Sequence, residues 1–228
     1  MTRQPRRRLW PAATLTAASL ATGIYLLGVD TGTDAPPRPS TEQRLLDAPR
    51  RIAGEVIGSG PAAKQVPVRP MAASPPVRIR IPSIGVDAPL TGLSLLPDNT
   101  LDTPPPDEKN LAGWYTGGTQ PGATGTALIA GHVDTRQGPA VFYDLGALKK
   151  DSTVEILRAD GTTARFVVDG TELYDRDAFP DDKVYAPAAR PELRLITCGG
   201  TYSKATGYRA NTVVYAHLAG PAAVSTRR

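Results

Sequence analysis

Residues 152–174, STVEILRADGTTARFVVDGTELY, contain two runs in which apolar and polar side chains alternate. Alternation with a period of two is typical of a β-strand with one buried face. The pair Asp160-Gly161 separates the two runs, and Asp-Gly is favoured in the tight turns that join antiparallel strands because these turns need positive φ. The stretch therefore predicts a β-hairpin.

Similar short runs lie on both sides of this hairpin and are bounded by turn-forming residues. They are VRIRIPSIGVDAPL (77–90), TGTALIAGH (124–132), ELRLITC (192–198) and ANTVVYAHL (210–218). The stretch PAVFYDLGAL (139–148) is a candidate for one short helix. Many short strands separated by turns are typical of a barrel or sandwich, and roughly 145 residues suffice for one core. We therefore predict a mostly-β closed barrel over residues 77–220.

The amino-terminal region has the pattern of a membrane anchor. Residues 9–29, LWPAATLTAASLATGIYLLGV, carry no charge, and four arginines precede them in residues 1–8. A segment of this length crosses a bilayer as a helix at ~1.5 Å per residue, and the basic flank favours a cytoplasmic amino terminus. We expect a retained single-pass anchor, with the barrel outside the cell. The alternative is a cleaved signal peptide, but GVDTGTDAPP after the apolar run contains no Ala-x-Ala cleavage site.

Residues 30–76 are rich in Pro, Ala, Arg and Ser and predict an extended extracellular linker. We expect residues 221–228 to be a disordered tail. Residues 1–70 hold ten Lys and Arg against five Asp and Glu, so the remaining residues are close to neutral. Phosphate binding needs a basic face, and we therefore expect no nucleic-acid partner.

The only cysteine in the chain is Cys198, placed between an apolar run and Gly199-Gly200. A single cysteine cannot form an intramolecular disulfide. We expect Cys198 at the carboxyl end of a strand, where a rigid element meets a loop and reactive groups are often found. The thiol is either a nucleophile or a small buried apolar side chain.

The chain has two histidines. His217 lies inside the alternating run 210–218 and is interpreted as structural. His132 ends another predicted strand, so it is the candidate acid/base partner of Cys198. Asp134, two residues later, either orients the imidazole or is solvated in a loop.

Arg209 opens the run that follows Cys198. If these two strands are antiparallel neighbours, the guanidinium lies beside the thiol. An arginine there can stabilise the oxyanion of a tetrahedral intermediate while it stays protonated. A surface arginine without function is the alternative.

These segments together resemble the sortase family, the cysteine transpeptidases on the outer face of Gram-positive bacteria. The resemblance covers Val77 to Leu218 and rests on LITCGG, ALIAGHVDT and YRANTVVYAHL. The phrase GHVDTRQGPAVFYDL most resembles class F sortases of actinobacteria. One position departs from the family motif Thr-Leu-x-Thr-Cys, because Arg194 stands where the first Thr is expected.

The resemblance implies an eight-stranded β-barrel with one or two short helices. It implies Cys198 as nucleophile, His132 as acid/base and Arg209 as the group that stabilises the oxyanion or positions substrate. The implied reaction cleaves an LPXTG-like sorting signal of a surface protein between Thr and Gly through a thioacyl enzyme. An amine of a peptidoglycan precursor then takes the acyl group, and no cofactor takes part.

By the same resemblance, the connection at 174–190 (YDRDAFPDDKVYAPAAR) borders the groove for the signal. We name Thr197, Phe179, Tyr185 and Pro187 as candidate substrate-binding residues, and a purely connecting loop is the alternative. Asp181-Asp182 lacks the spacing of a calcium site, so we expect no metal.

Two rival functions stay open from the sequence. A hydrolytic cysteine peptidase would use the same Cys, His and Arg with water as acceptor. An anchored β-domain that binds a wall component without chemistry would instead bury Cys198 in an unreactive state.

Overall fold

The structure, a computed structural model, describes residues 35–45 and 68–220. The predicted anchor at 9–29, most of the predicted linker and the tail at 221–228 lie outside the described residues. In the part of the chain that is described, no helix has the length and apolar character needed to cross a membrane.

Ten strands and a few short helical turns make up the described chain. The strands are β1 (Pro76–Ile81), β2 (Val86–Leu93), β3 (Ala112–Tyr115), β4 (Gly125–Gly131), β5 (Asp134–Thr135), β6 (Gly138–Pro139), β7 (Thr153–Arg158), β8 (Thr163–Asp175), β9 (Pro191–Ser203) and β10 (Gly207–Leu218). The helices are α1 (Asp181–Tyr185) and 3-10 turns at Thr41–Gln43, Pro82–Ile84, Tyr143–Ala147 and Arg176–Ala178.

Eight of the strands form a closed barrel in the order β1-β2-β3-β4-β9-β10-β8-β7. Pairing of β7 with β1 closes it. The pairs β2/β3 and β4/β9 are parallel, and the remaining barrel pairs are antiparallel. β5 and β6 form a separate two-stranded ribbon after β4. The predicted mostly-β, eight-stranded closed barrel is confirmed.

The hairpin predicted from residues 152–174 is β7 and β8. Their register pairs Leu157 with Thr163, and Gly161 in the turn has φ +78°. Burial alternates along β7, so that Val154 and Ile156 point into the barrel. Burying one such side chain stabilises the fold by about 1.5–3 kcal/mol, which explains why the alternation in the sequence sets the inward face.

The barrel interior is filled from all sides by aliphatic side chains together with Phe142 and Phe166, and Trp114 lies in the same core. The 3-10 turn at Tyr143–Ala147 adds Leu145 to this core. The short helix expected within 139–148 is therefore present as a 3-10 turn.

One boundary differs from the sequence-based expectation. β9 does not end at Cys198 but continues to Ser203. Its pairing with β4 stops at Ile196, whereas its pairing with β10 extends to the hairpin. The register shifts between Tyr208 and Ala210, and Gly200 opposite has φ +79°, a conformation that favours glycine. Cys198 thus lies within a strand that has lost one neighbour, not at a strand end.

Part of the predicted linker packs against the barrel. The side-chain amide of Gln43 donates to the carbonyl oxygens of Leu148 (2.9 Å) and Gly146 (3.3 Å). The backbone N–H of Leu45 donates to the carboxylate of Glu172 at 2.9 Å. Residues 35–45, which belong to the predicted linker, are therefore attached to the outside of the barrel near β8.

Candidate active site

Parallel pairing of β4 with β9 brings Cys198 and His132 to the same end of the barrel. The last paired positions are Ala130 and Ile196. Continuing this register by two residues places His132 beside Cys198. The hydroxyl of Thr197 donates to the carbonyl of Gly131 at 2.8 Å, so the residues before Cys198 and before His132 are bonded to each other.

β10 supplies the third predicted residue from the other side of β9. Asn211 is directly opposite Cys198, and Arg209 lies two residues before Asn211, at the register shift. Arg209 is exposed and lines a cavity with Arg176, Asp177, Thr206 and Tyr208. β9 and β10 are antiparallel neighbours, which is the condition on which the assignment of Arg209 depended.

The Cys198 side chain is exposed to solvent on the outer face of β9. Because the barrel shields the thiol from part of its water, burial is the largest influence and raises its pKa. The positive charge of Arg176 opposes this rise, and the carboxylate of Asp134 adds to it. The net pKa is above the ordinary value, so the thiol is mostly protonated at neutral pH.

His132 is held by a backbone contact that the sequence did not predict. Its Nε2 donates to the carbonyl oxygen of Pro104 at 2.7 Å, and since a carbonyl only accepts, Nε2 carries the proton. Nδ1 is then the nitrogen left to exchange a proton. Asp134 has another partner, because it accepts a 2.5 Å hydrogen bond from the Tyr208 hydroxyl.

The second histidine lies elsewhere on the barrel. Nδ1 of His217 is 2.7 Å from the carboxylate of Asp169, which lies on β8. This contact fits the structural role expected for His217 and leaves His132 as the histidine aligned with the thiol.

A second apolar cluster covers the outer face of β9 and β10 next to Cys198. We call it the outer cluster. It contains buried Val184, Val213 and Tyr215, with Leu45, Tyr174, Phe179 and Ile196 packed against them. Ile196 is two residues before Cys198, and Val213 is two residues after Asn211, so the cluster begins beside the thiol.

The candidate substrate-binding residues fall into two groups. Phe179 is half-buried in the outer cluster, in an edge-to-face contact with Tyr174 at a centroid distance of 5.9 Å. Tyr185 is exposed with its ring 5.8 Å from that of Phe179, and Pro187 is exposed in the same connection. Thr197 is buried and its hydroxyl is bonded to Gly131, so here it aligns two strands.

Arg194, the departure from the family motif, is almost fully buried at the floor of this face. It donates to Glu192 at 2.7 Å and its guanidinium lies 4.5 Å from the centroid of the Tyr215 ring. The ion pair and the aromatic contact offset the cost of burying the charge. An arginine is therefore accommodated at this position without disturbing Thr197 or Cys198.

Four residues at the site carried no sequence signal for the roles they have in the structure: Pro104, Arg176, Asn211 and Leu45. Each is brought to the site by pairing or packing between distant segments. Arg176 lies within the connection singled out from the sequence, but nothing in its local pattern indicated that its charge acts on the thiol.

Within residues 35–45 and 68–220, no group of three or more His, Cys, Asp or Glu side chains is arranged to hold a metal ion.

The fold together with a family match defines the class of protein. Residues 79–219 match the sortase domain family, and the chain therefore belongs to the sortase family. At the level of the family this membership implies cysteine transpeptidase activity.

Solved structures of sortase A have the same fold. Sortase A from Corynebacterium diphtheriae, in a lid mutant, is 23% identical with a TM-score of 0.51 over 66% of this chain and 73% of that chain. Sortase A from the same organism gives the same identity and TM-score over 66% of this chain and 63% of that chain. Sortase C-1 from Actinomyces oris is 21% identical, with a TM-score of 0.49, over 64% and 76% of the two chains. No curated protein matches the chain significantly.

Proposed function

We propose that this protein is a membrane-anchored extracellular sortase that cleaves an LPXTG-like sorting signal between Thr and Gly and transfers the Thr carbonyl to a cell-wall amine. The observation that carries this proposal is the β4/β9 register, extended by the Thr197–Gly131 hydrogen bond to the residues directly before Cys198 and His132. The exposure of Cys198 also favours chemistry over the rival wall-binding domain, which requires a buried, unreactive thiol.

The first step forms the thioacyl enzyme. The thiolate of Cys198 attacks the Thr carbonyl, and Arg209 supplies donors to the developing oxyanion. As the C–N bond breaks, the imidazolium of His132 gives the proton on Nδ1 to the departing Gly amine. Because the thiol pKa is raised, the reactive thiolate–imidazolium pair is a minor fraction of the free enzyme at neutral pH.

The acyl part of the signal lies over the outer cluster in this proposal. Its Leu and Pro side chains contact the half-buried Ile196 and Phe179 at the margin of this cluster, with Tyr185 at the exposed edge. The outer cluster begins at Ile196, two residues before the nucleophile. A signal peptide can therefore place its Thr carbonyl at Sγ of Cys198 while its Leu and Pro side chains lie against apolar side chains.

In the second step an amine attacks the thioester carbonyl. The C–N bond forms, the C–S bond breaks with its electron pair going to Sγ, and His132 accepts the amine proton. The amine belongs to a peptidoglycan precursor, and the product is a surface protein joined to the wall.

The location and the class belong to the same proposal. Residues 9–29 anchor the chain in the membrane with the amino terminus in the cytoplasm. The phrase GHVDTRQGPAVFYDL around the catalytic histidine supports assignment to class F of actinobacteria.

The proposal is tested with the full-length chain purified in a mild detergent, a quenched peptide containing Leu-Pro-x-Thr-Gly, and an amine. Mass spectrometry of the products should show the Thr-linked amine adduct, and this adduct should be absent with Cys198→Ala. Release of the free acid alone, with amine present, would indicate the hydrolytic peptidase instead. No turnover, combined with a thiol inert to alkylation, would favour the binding domain.

A further inference from the structure

Near the thiol lies a cavity of about 360 Å³ lined by Arg176, Asp177, Thr206, Tyr208 and Arg209. We call it the cationic pocket. Its two arginines come from different segments. Arg176 follows the end of β8, where Asp175 pairs with Ala210, and Arg209 immediately precedes Ala210 on β10.

Among the described residues neither guanidinium group forms an ion pair, and the two arginines face one lining carboxylate, that of Asp177, which leaves a net positive charge. In residues 35–45 and 68–220, the arginines that form ion pairs are Arg78, Arg80, Arg158, Arg165, Arg190 and Arg194. Arg176 and Arg209 form none there, although Asp177 lines the same cavity. The charge of Arg176 reaches the thiol, where it opposes the rise in pKa caused by burial. The pocket is thus positive next to the reacting sulfur.

The position of the pocket along β10 indicates which half of the reaction it serves. Asn211 is opposite Cys198; Val213 and Tyr215 follow it into the outer cluster, whereas Arg209 precedes it. A substrate whose acyl part covers the outer cluster therefore directs its amine side toward the cationic pocket. The leaving amine departs through this side, and the incoming amine must enter it.

We propose that the cationic pocket binds a carboxylate of the amine acceptor, so that the acceptor is an amino-acid or peptide amine with a free carboxylate close to the nucleophilic nitrogen. This inference rests on the proposed transpeptidase function and adds the acceptor class and a binding role for Arg176.

The charges of the pocket suit both ends of such an acceptor. Arginine binds carboxylates through two parallel hydrogen bonds, which fixes the orientation of the bound group. The same positive field disfavours the ammonium form of the amine, so it favours the neutral nucleophile. Attack forms the C–N bond and breaks the thioester C–S bond. The electron pair goes to Sγ, and the amine proton goes to His132.

The test uses the full-length chain, the Leu-Pro-x-Thr-Gly peptide, and glycine or glycinamide as acceptor. These acceptors differ in one carboxylate, and comparing each variant with wild type on the same acceptor cancels their different amine reactivity. Arg176→Ala should lower kcat/KM for glycine by about tenfold more than kcat/KM for glycinamide, because the lost carboxylate contact affects glycine alone whereas the lost charge beside the thiol affects both acceptors alike. Arg176→Lys should restore part of the loss. Arg80→Ala, on the distant strand β1, should change neither.

Thioacyl formation without acceptor, followed as the mass of the acyl-enzyme, separates the ways in which the inference can fail. If Arg176→Ala lowers kcat/KM for glycine and for glycinamide equally, and lowers the rate of thioacyl formation by the same factor, then Arg176 acts only on the thiol. That result would overturn the acceptor site. Unchanged transfer to glycine in Arg176→Ala would overturn it as well. If wild type forms no acyl-enzyme, the transpeptidase proposal itself fails and takes this inference with it, and the mass measurement identifies that case.

Discussion

The hydroxyl of Thr197 donates to the carbonyl oxygen of Gly131 at 2.8 Å, so the residue before Cys198 is bonded to the residue before His132. This bond lies just beyond the last paired positions of β4 and β9. It extends the alignment of the two strands to the point where the side chains of the proposed nucleophile and acid/base emerge.

Thr197→Val keeps the shape of the side chain but removes this bond. We expect unfolding free energy to fall by about 0.5–1.5 kcal/mol, because the half-buried Gly131 carbonyl loses its donor. We expect kcat/KM to fall by roughly ten- to a hundredfold, because small misplacement of reacting groups is costly. Peptide-cleavage kinetics and thermal unfolding measure the two effects. Thr197→Ser, which retains the hydroxyl, is the control, and equal activity of Val and Ser variants would exclude the alignment role.

The alkylation rate of Cys198 should rise with pH and reach its midpoint above the ordinary thiol value of about 8.5, because burial raises the pKa of Cys198. Arg176→Ala removes a charge that favours the thiolate, so it should move the midpoint up. Asp134→Asn removes a charge that opposes the thiolate, so it should move the midpoint down. Iodoacetamide labelling followed by mass spectrometry provides the profile. A midpoint below neutral pH in wild type would contradict this electrostatic account.

The two histidines should have opposite neutral tautomers. His132 donates from Nε2 to Pro104, whereas His217 bonds to Asp169 through Nδ1. Nitrogen-15 NMR well above the ordinary histidine pKa of about 6.5 distinguishes them. His217→Gln assigns the signals, because only two histidines are present. A proton on Nδ1 of His132 would mean that Nε2, not Nδ1, exchanges the proton in catalysis.

Gln43→Ala should release the docked segment 35–45 from the barrel. The side-chain amide of Gln43 binds Leu148 and Gly146, and its loss leaves their carbonyls without this donor, at a cost of about 1–3 kcal/mol. Hydrogen exchange should become faster at the Gln43 and Leu45 amides. Glu42→Ala, at an exposed neighbouring position, is the matched control. Unchanged protection in Gln43→Ala would show that other contacts hold the segment.

Much of the fold was predictable because it depends on short-range patterns. Alternation in residues 152–174 predicted the β7/β8 hairpin, since side chains on a strand point to opposite faces and one face must be buried. β3, Ala112–Tyr115, was missed because four residues, three of them buried, show no alternation. The end of β9 was misplaced because its extension to Ser203 depends on pairing with β10 across the register shift, which local sequence does not reveal.

The residues of the candidate site could be predicted from the sequence, but their contacts with one another could not. One cysteine and two histidines leave few choices, and the motifs around them resemble those of sortases. Thr197 was singled out as substrate-binding, yet its hydroxyl is bonded to the Gly131 carbonyl inside the structure. The sequence carries the residue but not its partner, because the partner is 66 positions away in the chain.

The sequence by itself determined the barrel class, the inward faces of its strands and the family, and it named Cys198, His132 and Arg209 as candidates, because these depend on local periodicity and motif chemistry. Only the tertiary structure decided that Pro104 holds the imidazole, that Leu45 packs in the outer cluster and that Arg176 joins Arg209 in one pocket. These contacts join segments far apart in the chain. These contacts depend on how the barrel closes and on the register of its strands. Neither the closure nor the register can be deduced from a local sequence pattern.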